Sequence, residues 1–148
     1  MEQAVGIALP SLGKLNGRDC IHIDTVTQEN NDRLVFRGEI NGALADRIND
    51  DIWIPYTLIF HHMLAYRACE LDTYLNLNVY GHADCTDFNI IKNSRWLAGF
   101  PVRNDLDQSD YQHYQLFTYD YVYHIIAVSF EMRTDLPPKN GEGESVCI

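Results

Sequence analysis

Between Ile52 and Phe60 apolar side chains recur at every second position. Ile52, Ile54, Tyr56, Leu58 and Phe60 share one face at a period of two, which a helix does not align. The pattern predicts a β-strand. Pro55 lacks a backbone N–H, so this strand is expected at a sheet edge or just after a bulge. A second run, from Met63 to Tyr74, carries Leu64, Tyr66 and Ala68 on one side, with His61 and His62 as the turn between the two runs. Upstream, Cys20 to Thr27 and Arg33 to Ile40 read as two further strands around the polar turn Gln28-Glu29-Asn30-Asn31-Asp32.

The period changes after Asp87. Phe88, Ile90, Ile91, Trp96 and Leu97 predict about three turns of helix over Asp87 to Leu97, capped by Thr86 or Asp87 and stopped by Gly99-Phe100-Pro101. Farther on, Tyr111 to Thr118 and Tyr121 to Thr134 are β-rich and join at Tyr119-Asp120 as a hairpin. In the second of these runs Val122, His124, Ile126, Val128, Phe130 and Met132 are expected on one face, with Tyr121, Tyr123, Ile125 and Ala127 on the other. The remainder, from Asp135 to Ile148, is rich in Pro, Gly and acids, a composition that does not order itself. The sum is a mainly β chain: an antiparallel sandwich or barrel with one short helix, or α+β if that helix covers a sheet face. One globular domain is expected over residues 1–134, followed by a flexible acidic tail over 135–148.

Composition narrows the partners. The 148 residues include 21 acidic and 11 basic side chains, a formal charge of -10. Such a field repels phosphate backbones and anionic membrane surfaces and favours a basic partner. Nucleic acid is further disfavoured because no Lys or Arg lies between Gln108 and Ser129, where Tyr111, Tyr114, Tyr119, Tyr121 and Tyr123 crowd together. No apolar run approaches the ~18–20 residues that cross a bilayer, and the start of the chain lacks the features of a signal peptide. Cys20, Cys69, Cys85 and Cys147 form no C-x-x-C pair. Free thiols and a cytoplasmic location are therefore expected.

Candidate chemistry is sparse. His82, Asp84, Cys85 and Asp87 lie close together, and imidazole, carboxylate and thiolate all bind first-row metals. His82, Asp84 and Asp87 with a distant His113 or His124 would make a metal-dependent hydrolase. The competing reading is an Asp- and Gly-rich turn that ends in a helix cap. His61 and His62 point to opposite faces if both lie on a strand and then cannot share an ion. Asp105, Asp107 and Asp110 suggest a calcium loop, but an EF-hand register from Asp105 puts Asp110 where Gly is needed and Leu116 where Glu is needed. Cys20 and His22 share a strand face and could pair as thiolate and imidazole, although a core role for the cysteine competes. There is no G-x-S-x-G elbow and no Gly-rich phosphate loop. No cofactor is expected.

Several stretches resemble a group of small bacterial proteins from Bacillus-like organisms, the YxiG-like proteins. They are Trp53 to Phe60, Ala65-Tyr66, Glu70-Leu71-Asp72, Asn93 to Leu97, His113 to Asp120 and Ile125-Ile126-Ala127, spread over residues 50–132. The resemblance implies an immunity partner encoded beside a secreted toxin, and it brings no active-site residues. Together with the acidity, it leads to the expectation of a non-enzymatic, immunity-like binding protein for a basic partner. Asp46, Asp50 and Asp51, or Asp105, Asp107 and Asp110, would steer encounter, and Tyr111 and Tyr119 would anchor it. A homo-oligomer, paired through the edge at Pro55 or through the aromatic hairpin, is the other expectation.

Overall fold

The computed structural model describes residues 1–75, 81–84, 86–136 and 144–147. The fold is mainly β, a sandwich of two sheets without closure into a barrel. The strands are β1 (Gln3–Gly6), β2 (Ile21–Glu29), β3 (Arg33–Asn41), β4 (Trp53–His61), β5 (Ala65–Glu70), β6 (Gly81–Asp84), β7 (Phe88–Lys92), β8 (Gln112–Phe117), β9 (Tyr121–Ala127), β10 (Ser129–Thr134) and β11 (Glu144–Cys147). Two short helices, α1 (Leu71–Leu75) and α2 (Arg95–Ala98), interrupt them. One sheet has the order β5-β9-β8-β7-β1-β6 and the other β11-β10-β4-β3-β2. Every pairing is antiparallel except β1 with β6.

The period-two strand forms as its pattern predicts. Ile54, Tyr56, Leu58 and Phe60 of β4 are all buried in the shared core, with Ile52 packed against it. Its position is different: β4 lies between β3 and β10, in the middle of its sheet. Pro55 is tolerated because of where the β10 ladder stops. The last paired residue of β10 is Thr134, opposite Tyr56, and beyond it the Pro55 carbonyl accepts from Asp135 N at 2.9 Å. In an antiparallel ladder the N–H and C=O of a residue point the same way, so the missing donor falls at the ladder's end and costs little. With both sides of β4 occupied, pairing between copies through Pro55 is closed.

The helix expected over Asp87 to Leu97 is instead a strand over Phe88–Lys92 followed by the start of α2. Phe88 and Ile90 face the sandwich core while Asn89 and Ile91 face the opposite side, where α1 and the segment containing α2 cover the sheet. A strand covered on both faces reads as an apolar run, which periodicity alone does not separate from a helix. The chain turns at Asn93, held at φ 56°, and only then begins α2, capped by Ser94 rather than by Thr86 or Asp87. Gly99 ends that helix.

The long final run also divides. β9 belongs to the six-stranded sheet and β10 to the five-stranded sheet, with the crossing at Val128. The crossing changes the parity of the faces. Tyr123, Ile125 and Ala127 point into the core, as do Phe130 and Met132, while Val122, His124 and Ile126 lie on the outer face of β9. The β8–β9 hairpin turns at Tyr119 and Asp120 as predicted, closed by Thr118 N donating to Tyr121 O at 2.9 Å. Of the acidic segment 135–148, residues 137–143 and 148 lie outside the described residues, and Glu144–Cys147 pairs with β10.

The sheets are held together by rings from both. Phe36, Phe60 and Phe130 come from one sheet, and Phe88, Tyr114 and Tyr123 from the other. Phe88 meets Phe130 at 4.9 Å between centroids, Phe36 meets Tyr123 at 5.0 Å and Phe60 meets Tyr114 at 5.3 Å. Edge-to-face and tilted pairs of this kind add about 0.5–1.5 kcal/mol each beyond the area they bury. Phe60 touches four of the other rings. Phe60→Ala is expected to lower unfolding free energy by about 3–5 kcal/mol in a urea titration. The exposed Tyr66→Ala change should cost less than about 1 kcal/mol.

Candidate functional site

Three places in the sandwich carry chemistry. The first is the predicted metal loop. Residue 85 and the side chains of His82 and Asp84 lie outside the described residues, but the backbone sets Ala4 opposite His82 and Val5 opposite Asp84. Asp87 precedes β7, its N–H bound to Leu15 O and its Oδ1 accepting from Gly17 N at 3.2 Å. Among the described residues no group of three or more His, Cys, Asp or Glu side chains is placed to hold a metal ion. His61 meets Glu131 at 3.2 Å and His62 meets Asp32 at 2.9 Å, so the adjacent imidazoles turn to different partners.

Asp87 is nevertheless unusual. Burial raises its pKa from 3.8 to about 7, with the Gly17 N–H opposing that rise. The nearby Cys20 thiol is pushed up to about 12 by burial and by Asp87, and its Sγ points to Leu44 O at 3.8 Å, so Cys20 is a packed thiol rather than a thiolate paired with His22. A carboxyl whose folded pKa exceeds its unfolded value is more readily ionised when unfolded. Stability is then lost as pH rises from about 3.8 through about 7. Asp87→Asn removes that loss: between pH 5 and pH 8 the variant should gain on the order of 2 kcal/mol on the parent in denaturant titrations.

The second place is a hydrogen-bonded relay on the outer face of the six-stranded sheet. Ser94 Oγ lies 2.7 Å from His113 Nδ1, and His113 Nε2 lies 2.6 Å from His124 Nδ1. His124 Nε2 lies 2.9 Å from the Tyr74 hydroxyl, which accepts from Gln115 Nε2 at 2.9 Å. Asn89 extends the chain, donating to Gln115 Oε1 at 2.8 Å and to Thr86 O at 2.6 Å. The strand register explains the arrangement, since His124 opposes Gln115 and Gln115 opposes Asn89 on neighbouring strands. Arg67 opposes His124 on the other side, its guanidinium 4.4 Å from the Trp96 ring centroid.

Two tautomer patterns satisfy this chain, one with each histidine passing its proton toward Tyr74 and one with each passing it toward Ser94. Neither requires a charged ring. Burial holds both imidazoles well below their ordinary 6.5; for His113 the neighbouring His124 and then Arg67 add to this, and for His124 Arg67 does. His113 is thus a poor base for Ser94, and the position that a carboxylate takes in a hydrolytic triad, on the far nitrogen of the histidine, is held by the His124 imidazole. A depressed histidine pKa gives stability that is whole above 6.5 and is lost as pH falls below it. His113→Phe should lose on the order of 2–4 kcal/mol at pH 7.5, having stranded Ser94 and His124, yet show a shallower decline below pH 6 than the parent.

The third place is a surface cluster of rings. The Trp53 ring stands edge-on to His22 at 5.1 Å, and Tyr119 stacks on His22 at 5.0 Å. His22 and Trp53 lie on the outer face of the five-stranded sheet, on either side of β3, where β2 bulges between Ile23 and Thr25. Gly38 permits that bulge, because a Cβ there would sit 2.0 Å from His22 O. Tyr119 arrives from the other sheet, its N–H bound to Ile21 O at 3.0 Å. Trp53 is 48% exposed and Tyr119 43%. Around them Asp19 meets His22 Nε2 at 2.9 Å, and Arg18 pairs with Asp72 at 2.9 Å while leaning over the Tyr119 ring.

The expected partner-binding residues therefore separate. Asp46, Asp50 and Asp51 are exposed in the β3–β4 connection, which leads into Trp53, and Tyr119 is at the same end of the sandwich. Asp46 Oδ1 accepts from Lys14 N at 2.9 Å. Asp105, Asp107 and Asp110 are exposed in the segment before β8, whose Arg103 and Leu106 line a cavity with Asp32 and His62 at the opposite end of β3 and β4. Asp105 is paired with Arg103 at 2.6 Å, and Asp107 accepts from the Ser109 amide and hydroxyl. Tyr111 is only 7% exposed and has little ring surface to offer. Trp53 and His22 carried no sequence signal as a pair, since 31 positions separate them. No family model, curated protein or solved structure matches the chain.

Proposed function

We propose that this protein is a non-enzymatic binding module that engages a basic protein partner, in the manner of an immunity protein against a secreted toxin. The observation that supports this reading is the Trp53–His22–Tyr119 cluster, a solvent-facing group of rings in a chain of charge -10. Trp and Tyr supply large contact areas with few rotatable bonds and dominate binding hot spots. Asp19, Asp72 and Asp120 lie around the rings, with Asp50 and Asp51 in the loop that leads into Trp53, and Arg18 is the one cation in contact with the cluster among the described residues. An acidic rim of this kind accelerates encounter with a basic surface and disfavours acidic competitors. The second acidic group, Asp105, Asp107 and Asp110, lies too far along the sandwich to share this face, so Asp50, Asp51 and Tyr119 belong to the proposed contact and Tyr111 does not.

The hydrolase reading has less behind it. Of His82, Asp84 and Asp87, the one described side chain accepts a backbone N–H, and the nitrogens of His113 and His124 are already hydrogen-bonded within the relay.

The test is calorimetric titration with the purified products of the genes adjacent to this one. One of them should bind, with affinity falling at least tenfold between 50 and 300 mM salt. Trp53→Ala and Tyr119→Ala should each weaken binding about tenfold or more, with circular dichroism unchanged. Binding indifferent to both substitutions would remove this face from consideration.

A further inference from the structure

The outer face of the six-stranded sheet holds a groove of about 570 Å³ between the end of β7, α2 and the start of β8, well within the range of small-molecule sites. Its apolar lining comes from Ile91, Leu97, Ala98 and Tyr111. Lys92 and Arg95 also line it, and neither makes an ion pair with a described residue. This is unusual in a chain with 11 basic side chains against 21 acidic ones.

The walls are fixed before any ligand arrives. Gln108 Nε2 donates to the carbonyls of Leu97 and Ala98, tying the turn ahead of β8 to α2. Ser94 is pinned from beneath by His113 while its Oγ accepts from Leu97 N at 3.0 Å. Of the nearby carboxylates Asp105 is offset by Arg103, whereas Glu2 accepts from the Arg95 amide at 2.6 Å and Asp107 from Ser109, bonds to neutral donors that leave both negative charges in place. Asp110, on the same turn as Gln108, keeps a negative charge near the mouth.

We propose that this groove binds a small organic monoanion, a carboxylate on an aliphatic or aromatic body. The body would lie against Ile91, Leu97, Ala98 and Tyr111, and the carboxylate would be met by Lys92 and Arg95. With the Glu2, Asp107 and Asp110 carboxylates also near, the two cations suit one negative charge better than two. The site is separate from the proposed protein-binding face, since the groove meets β8 at its start and Tyr119 follows its end, a strand's length of about 20 Å away.

The probes are octanoate and octanol, titrated at pH 7.5 into the full chain labelled with ¹⁵N and followed by backbone amide shifts. Octanoate should shift the amides of Ile91, Ser94, Leu97 and Tyr111 saturably, leaving Trp53 and Tyr119 in place. Octanol should bind at least tenfold more weakly. Lys92→Gln with Arg95→Gln should cut octanoate affinity at least tenfold without changing that of octanol. Ala98→Trp, which fills the groove from an exposed position, should block both. Equal binding of the two probes, no saturable shift at these amides, or octanoate affinity unchanged in the double variant would overturn the proposal.

Discussion

Everything else in this protein is arranged around the rings that join its two sheets. Phe36, Phe60 and Phe130 on one side interleave with Phe88, Tyr114 and Tyr123 on the other, and their contacts allow one relative placement of the sheets. Interiors packed to this density tolerate little sliding. That placement brings the Tyr119 turn of one sheet against Ile21 at the edge of the other, and so creates the surface cluster with His22 and Trp53. The proposed binding face is thus a consequence of the core.

The same constraint accounts for the polar relay. Strands β7, β8 and β9 spend their inward positions on Phe88, Tyr114, Leu116, Tyr123 and Ile125. Their alternate positions carry Asn89, His113, Gln115 and His124 on the outer face, which is itself covered and dry. Polar side chains there must satisfy one another, and they do so in a continuous chain from Ser94 to Thr86. Two opposed pH dependences are built into this one fold. Asp87 weakens it as pH rises, and the histidine pair weakens it as pH falls.

Much of the architecture was legible where local pattern and final environment agree. The β2–β3 hairpin followed from two β-rich runs around Asn30 and Asn31, both of which adopt left-handed backbone. The β8–β9 hairpin followed from its turn residues. Pattern failed where a strand is covered on both faces, as in β7, and where one apolar run serves two sheets, as at Val128. In both places the side-chain period is altered by neighbours distant in sequence. The candidate site was less legible for the same reason. Tyr119 and the acids of the β3–β4 connection could be marked from the sequence, but the meeting of Tyr119 and Trp53 with His22, beside a bulge in β2, could not.

By itself, then, the sequence determined the class of fold, the turns after β2, β4 and β8 and the acidic character of the chain. These depend on local backbone preference and on composition, which each segment carries with it. The tertiary structure alone decided that Pro55 sits in a central strand, that Ser94 meets His113 and that Tyr111 is buried while Tyr119 is exposed. It also placed Lys92 and Arg95 among the residues that line a groove beside β7 and α2. Such juxtapositions are set by sheet order and by the register between strands, which arise only when the two hydrophobic faces close on each other.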